Sequence, residues 1–192
     1  MKKIFWGMLL IMVDFSIGNG VEFIDLLPDF IGVLLCLWGM AQLEFPWRKF
    51  RMIVFFGFYA FYTLADLLIG LLGIALPIQL LNGLPVLSNV LMLYLTFEIT
   101  SMIQHMENGG KDLYGKELRI IWILLCVSQC VTTFVFLVND VNTLFGAFGN
   151  AQWLVAMLFL FVMIFFLVST TLWLGYLYLT ARQYDTSSLN NS

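Results

Sequence analysis

Three carboxylates interrupt long apolar runs in this chain: Asp14, Asp66 and Glu98. An ionisable group at the centre of a lipid-embedded helix costs about 3 kcal/mol on insertion scales unless it is paired or wetted, so a binding or relay role is its default reading. Asp14 and Asp66 each open the same short pattern, D-x-x-I-G, with L-P following at Leu27-Pro28 and at Leu84-Pro85. Two carboxylates at matching depth could share a proton or hold a cation. Asp25 and Asp29 flank the first L-P, and with Glu22 and Asp140 they form an acidic rim free of Lys and Arg, which favours cations over anions. A ligand site is therefore expected at Asp14, Asp66, Asp25, Asp29 and Glu98. Each also has a structural alternative. Asp25, like Asn82 in the second copy, can cap a helix that starts at Pro28 or Pro85, and Asp29 can sit in its positive first turn. Gly18 and Gly70 can close the preceding helices. Asp14 and Asp66 can reach outer water.

The remaining polar residues point to helix association more than to catalysis. Asn89, Thr96 and Thr100, spaced seven and four apart, share a rough face of the helix that carries Glu98, a stripe suited to joining helices or lining a pathway. Ser128 with Thr132 and Gln129 with Thr133, each four apart, read as donors between helices. Gly32, Cys36 and Gly39 form a small-residue seam for close packing, and Trp38 and Trp173 are expected inside the bundle. His105 reads as a solvated boundary residue. Cys36, Cys126 and Cys130 lie in apolar runs and read as reduced thiols. There is no H-E-x-x-H, G-x-S-x-G or P-loop, no metal-ligand spacing and no basic patch for nucleic acid. The reading is of a non-enzyme, with no catalytic residue, cofactor or metal site.

Composition sets the frame that would hold these groups. Hydrophobic residues are 61% of the 192 and charged ones 11%, against about half and about a quarter in soluble domains. Mean hydropathy is +0.95. This is the composition of a polytopic membrane protein, an all-α helical bundle within lipid. Six spans are expected: Ile4 to about Gly18 (or on to Phe23), Pro28 to Leu43, Phe50 to about Leu72, Pro85 to about Met106, Leu118 to Val138, and about Ala151 to Thr180. They form hairpins over about 1–44, 50–106 and 118–180 within a single transmembrane domain, 1–183, followed by a disordered polar tail, 184–192. The segment after Met1-Lys2-Lys3 reads as an uncleaved first span, since Asp14 interrupts it and no A-x-A-like site follows. The nine basic residues all fall at the N-terminus, between spans two and three or four and five, in the first turn of span three or five, or at the C-terminus. By the positive-inside rule both termini face the cytoplasm of a multi-pass cell-membrane protein.

The repeated D-x-x-I-G…L-P pattern suggests tandem helical hairpins. The stretch Ile24-Asp25-Leu26-Leu27-Pro28-Asp29-Phe30-Ile31-Gly32 resembles one in small multi-spanning membrane proteins of Gram-positive bacteria, over roughly residues 1 to 50, a resemblance that implies no activity. The size and the acidic loop entering a helix are similar to substrate-binding subunits of energy-coupling-factor transporters. The leading expectation is binding or transport of a small solute or cation from the outer side, with lipid and other membrane subunits as partners and no nucleic acid. The alternatives are a membrane interaction or regulatory protein that transports nothing, and an intramembrane enzyme using the carboxylates.

Overall fold

The computed structural model describes residues 1–13, 16–18, 23–25, 29–43, 49–73, 77–109, 113–137 and 152–189. Among these the protein is all-helical apart from one small hairpin. The order is α1 (Lys2–Met12), β1 (Ser16–Gly18), β2 (Phe23–Asp25), α2 (Asp29–Gln42), α3 (Lys49–Leu72), α4 (Ile78–Asn108), α5 (Gly115–Leu137) and α6 (Gln152–Leu189). Phe50–Ile69, Val86–Asn108 and Phe159–Thr186 are long and apolar enough to cross a membrane, and their surfaces are largely apolar side chains such as Phe58, Phe61, Phe161 and Leu167. That is the pattern of a membrane protein. The eleven residues of α1 and the fourteen of α2 rise only about 16 and 21 Å, short of a hydrocarbon core near 30 Å.

Several expected boundaries move. The first helix ends at Met12, not Gly18. Ser16–Gly18 instead pairs antiparallel with Phe23–Asp25, in the register Ser16 to Asp25 and Gly18 to Phe23. Glycine and serine are weak helix formers, and a local pairing satisfies the backbone that the helix would have used. Gly18 is thus a strand residue and not a helix stop, and Asp25 lies in a strand and not at a helix cap. Gly70 lies within α3, which closes at Gly73 with φ +60°, the left-handed terminator that glycine adopts most cheaply. α4 begins at Ile78, behind Pro77, so Asn82 and Pro85 fall inside the helix and not at its start. The carbonyl freed by an internal proline can be tolerated in a membrane helix where neighbours compensate. The first L-P pair, Leu27-Pro28, lies outside the described residues. α6 continues to Leu189, so most of the expected disordered tail is helical.

The helices alternate in direction, as their end contacts show. Lys3 Nζ donates to Gln42 Oε1 at 2.8 Å, joining the start of α1 to the end of α2. Arg51 at the start of α3 meets Glu98 late in α4 at 2.7 Å. Arg119 at the start of α5 donates to Gln104 late in α4 at 3.3 Å. Lys2 pairs with Asp185 near the end of α6 at 3.3 Å. Lys2, Lys3, Arg51, Arg119 and Arg182 consequently gather at one end of the bundle.

The small-residue seam on α2 packs as its spacing implied. A Cβ added at Gly32 would sit 2.6 Å from the Gly7 carbonyl oxygen, and one at Gly39 would sit 2.7 Å from Ile4 Cγ1. Cys36 is fully buried at the same seam and donates its thiol to the Ile4 carbonyl at 3.5 Å. Trp173 is wholly buried, as expected. Trp38 is not: it faces outward, with the Lys3 ammonium 3.3 Å above its ring. The glycine face of α2 is spent on α1, which turns Trp38 away from the core.

Candidate functional site

A cavity of about 290 Å³ lies between the helices, and all six contribute to it. Ile11 and Met12 come from the end of α1, Asp29 from the first turn of α2, and Tyr59 from α3. Ser88, Asn89 and Met92 come from α4, Leu125 and Gln129 from α5, and Phe166 and Thr170 from α6. Asp29 starts the short α2 and Met12 ends the short α1, while Tyr59, Leu125, Gln129 and Phe166 lie near the middle of the longer helices, so the cavity sits at about the mid-level of the bundle.

Its polar lining is partly tied together. The Gln129 side-chain amide donates to Asn89 Oδ1 at 2.8 Å, and the Asn89 amide donates to Thr133 Oγ1 at 3.4 Å, so α4 and α5 are bridged at this level. Tyr59 of α3 and Ser88 of α4 line the cavity side by side. Asp29 and Asp66 are both near enough to act electrostatically on Tyr59 and Tyr62, whose rings stack with centroids 6.1 Å apart. Thr170 behaves differently. Its hydroxyl oxygen is buried and has no hydrogen-bond partner among the described residues. The neighbouring Ser169 and Thr171 both donate to carbonyls one turn back on α6. A buried polar group left unsatisfied in a folded protein calls for a reason, since the usual cost is 1–3 kcal/mol.

Of the five expected ligand residues, one lines this cavity: Asp29. Asp14 lies outside the described residues, as do Glu22 and Asp140, so the facing pair expected of Asp14 and Asp66 cannot be traced. Asp25 is in β2. Asp66 is exposed, seven residues beyond Tyr59 on α3, and is not part of the cavity lining. Glu98 is fully buried but lies nine residues past Asn89 on α4, about 13 Å along the axis toward the basic end. There its Oε1 takes the Arg51 guanidinium at 2.7 Å and the Tyr94 hydroxyl, while Oε2 is buried without a partner among the described residues. Arg51 also donates through Nε to the Tyr94 hydroxyl at 2.7 Å.

The stripe on α4 serves mainly to join helices. Trp122 of α5 donates its indole N–H to Thr96 Oγ1 at 3.2 Å and to the Leu93 carbonyl at 3.3 Å. Trp173 of α6 donates to Thr100 Oγ1 at 3.1 Å. On α5, Gln129 and Thr133 reach α4, but Ser128 and Thr132 bond back to their own helix, at Leu125 and Ser128. His105 is exposed. Among the described residues no group of His, Cys, Asp and Glu could hold a metal ion, and Cys36, Cys126 and Cys130 are free thiols. Tyr59, Ser88 and Thr170 were missed as site residues. Each is a hydroxyl side chain in or beside an apolar run, a signal shared with many residues that only bond within their helix. No family model, curated protein or solved structure matches this chain.

Proposed function

We propose that this is a multi-pass cell-membrane protein that binds a small solute in the six-helix cavity, from the outer side, as a receptor or as part of a transporter. The observation that carries the reading is the cavity itself. Six polar side chains, from five helices, converge at one level of the bundle, and one of them, Thr170, has a buried hydroxyl with no partner among the described residues. Ligand pockets run from about 300 Å³ upward and combine apolar walls with a few placed polar groups, and this one sits at the lower edge of that range. The basic cluster at one end of the bundle supports a cytoplasmic location for both termini. The reading that polar residues merely hold helices together describes Thr96 and Thr100 well. It does not account for the convergence of six polar side chains from five helices on one cavity.

A screen of small polar solutes against the purified protein in nanodiscs, read by thermal shift, tests this. A true occupant at a hundredfold excess over its Kd adds about 2.7 kcal/mol of stability, and that gain is expected to vanish in Thr170→Trp, which fills the cavity. If no solute shifts the parent and Thr170→Trp is simply more stable, the space is a packing defect and the reading fails.

A further inference from the structure

We infer that the cavity takes a small uncharged amide, a solute whose head group carries an N–H donor and a carbonyl acceptor side by side; the inference rests on the cavity being the binding site. The amide pair on its wall comes first. Gln129 of α5 is buried, 7% exposed, and gives one amide N–H to Asn89 Oδ1 of α4 at 2.8 Å. Asn89 gives one N–H to Thr133 Oγ1 at 3.4 Å. A side-chain amide has two N–H donors and a carbonyl oxygen with two lone pairs. These bonds leave each residue one N–H, and no described residue donates to Gln129 Oε1. An amide edge held away from water and left unused is costly. A solute amide meets both halves of that edge at once. Its N–H goes to Gln129 Oε1, and its C=O accepts a spare N–H of Gln129 or Asn89. Thr170, with no partner for its hydroxyl among the described residues, lines the same space and can serve a second polar group of the solute.

The lining disfavours other head groups. No Lys, Arg or His is among the described residues that line the cavity, so a carboxylate or phosphate would leave water and find no positive partner. Asp29 already has an interaction within the fold. An ammonium or amidinium has donors only and would leave the spare N–H groups of the amide pair unmet. A ketone or ether accepts but has nothing to give Gln129 Oε1. The rest of the wall suits a carbon skeleton: Met92, Leu125 and Phe166, with the Tyr59 ring. The cavity of about 290 Å³ has room for roughly ten waters, enough for an amide on a single ring.

A set of probes of nearly equal size and shape tests this: benzamide, acetophenone, benzoate and benzamidinium. On the same ring they carry the amide, a carbonyl without N–H, an anion and a cation. Binding is measured on the full chain in nanodiscs of uncharged phosphatidylcholine, by equilibrium dialysis against empty nanodiscs and by thermal shift. Benzamide is expected to bind at least about tenfold tighter than acetophenone, the equivalent of one hydrogen bond made away from water. It is expected to exceed benzamidinium by a similar factor, with no binding of benzoate. Gln129→Met keeps the length of the side chain without its amide and is expected to bring benzamide and acetophenone within about twofold. If Gln129→Met does not fold, the order of the probes on the parent, and its loss in Thr170→Trp, decide alone. Acetophenone equal to benzamide, a charged probe bound tightest, or a benzamide preference that survives Gln129→Met overturns the amide assignment while leaving the cavity as a binding site. Failure of every probe overturns it too, and the wider solute screen then decides whether the cavity reading falls with it.

Discussion

The α1–α2 pair and the α3–α4 pair solve the same packing problem in opposite ways. α1 and α2 meet backbone to backbone, with Gly7, Gly32 and Gly39 leaving no room for a side-chain atom between them. α3 and α4 are joined by polar groups reaching across: Arg51 to Tyr94 and Glu98, and Tyr62 to the Leu84 carbonyl at 2.8 Å. The glycines on this side, Gly57 and Gly83, face open space. Glycine seams gain dispersion contact that lipid cannot match, because lipid tails are as apolar as leucine and offer no hydrophobic gain for association. Polar crossings are weaker and directional, and they leave gaps between helices. The cavity lies where the two kinds of pair meet. One wall, α1 with α2, is tight, and the other, α3 with α4, can adjust.

The largest effect is expected at the tight seam. Gly32→Leu should cost about 3 kcal/mol and most of the folded yield, since its side chain would meet Gly7 backbone. Gly57→Leu, on the open side, should stay within about 0.5 kcal/mol. Size-exclusion yield and unfolding in mixed detergent measure both, and equal losses would erase the contrast. The ion pair of the polar crossing comes next, and it should be asymmetric. Arg51→Ala leaves Glu98 buried with its charge uncompensated and should lower thermal stability clearly. Glu98→Leu removes the buried charge and should stay within about 1 kcal/mol of the parent. The double variant should recover what Arg51→Ala loses, and a purely additive cycle would remove the pair as a link between α3 and α4.

Smaller effects separate gluing from site. Thr100→Val deprives the buried Trp173 indole of its acceptor and should cost about 1 kcal/mol by equilibrium unfolding. Asn89→Ala breaks the link to Gln129 and should cost about 0.6 kcal/mol, the average for such bonds within membranes. It should also weaken any cavity solute. Loss of binding without loss of stability at Asn89, and the reverse at Thr100, would place the border between site and scaffold on α4 between these two residues.

The seam on α2 was legible because three small residues at helical spacing carry a packing meaning that hydropathy does not mask. The same stretch misled at Trp38, and the charged residues misled further. Depth in a membrane can be read from position within an apolar run, so Glu98 was rightly expected inside. Its distance from the cavity could not be read, because that depends on which helix faces it. The second L-P pair shows the limit of motif matching: Pro85 falls inside α4, which begins two turns earlier at Ile78.

What the sequence determined by itself is the class: an all-helical, membrane-type chain with its long apolar helices in the expected places and its described basic groups gathered at one end. These follow from run length and from the cost of charge in lipid, which act residue by residue along the chain. The tertiary structure decided which faces meet, and so selected Asp29 over Asp66 and Glu98 for the cavity and brought Tyr59, Ser88 and Thr170 to join it. The physical reason is that lipid and protein interior are both apolar. A helix side turned toward either is written in the same residues, and only packing tells them apart.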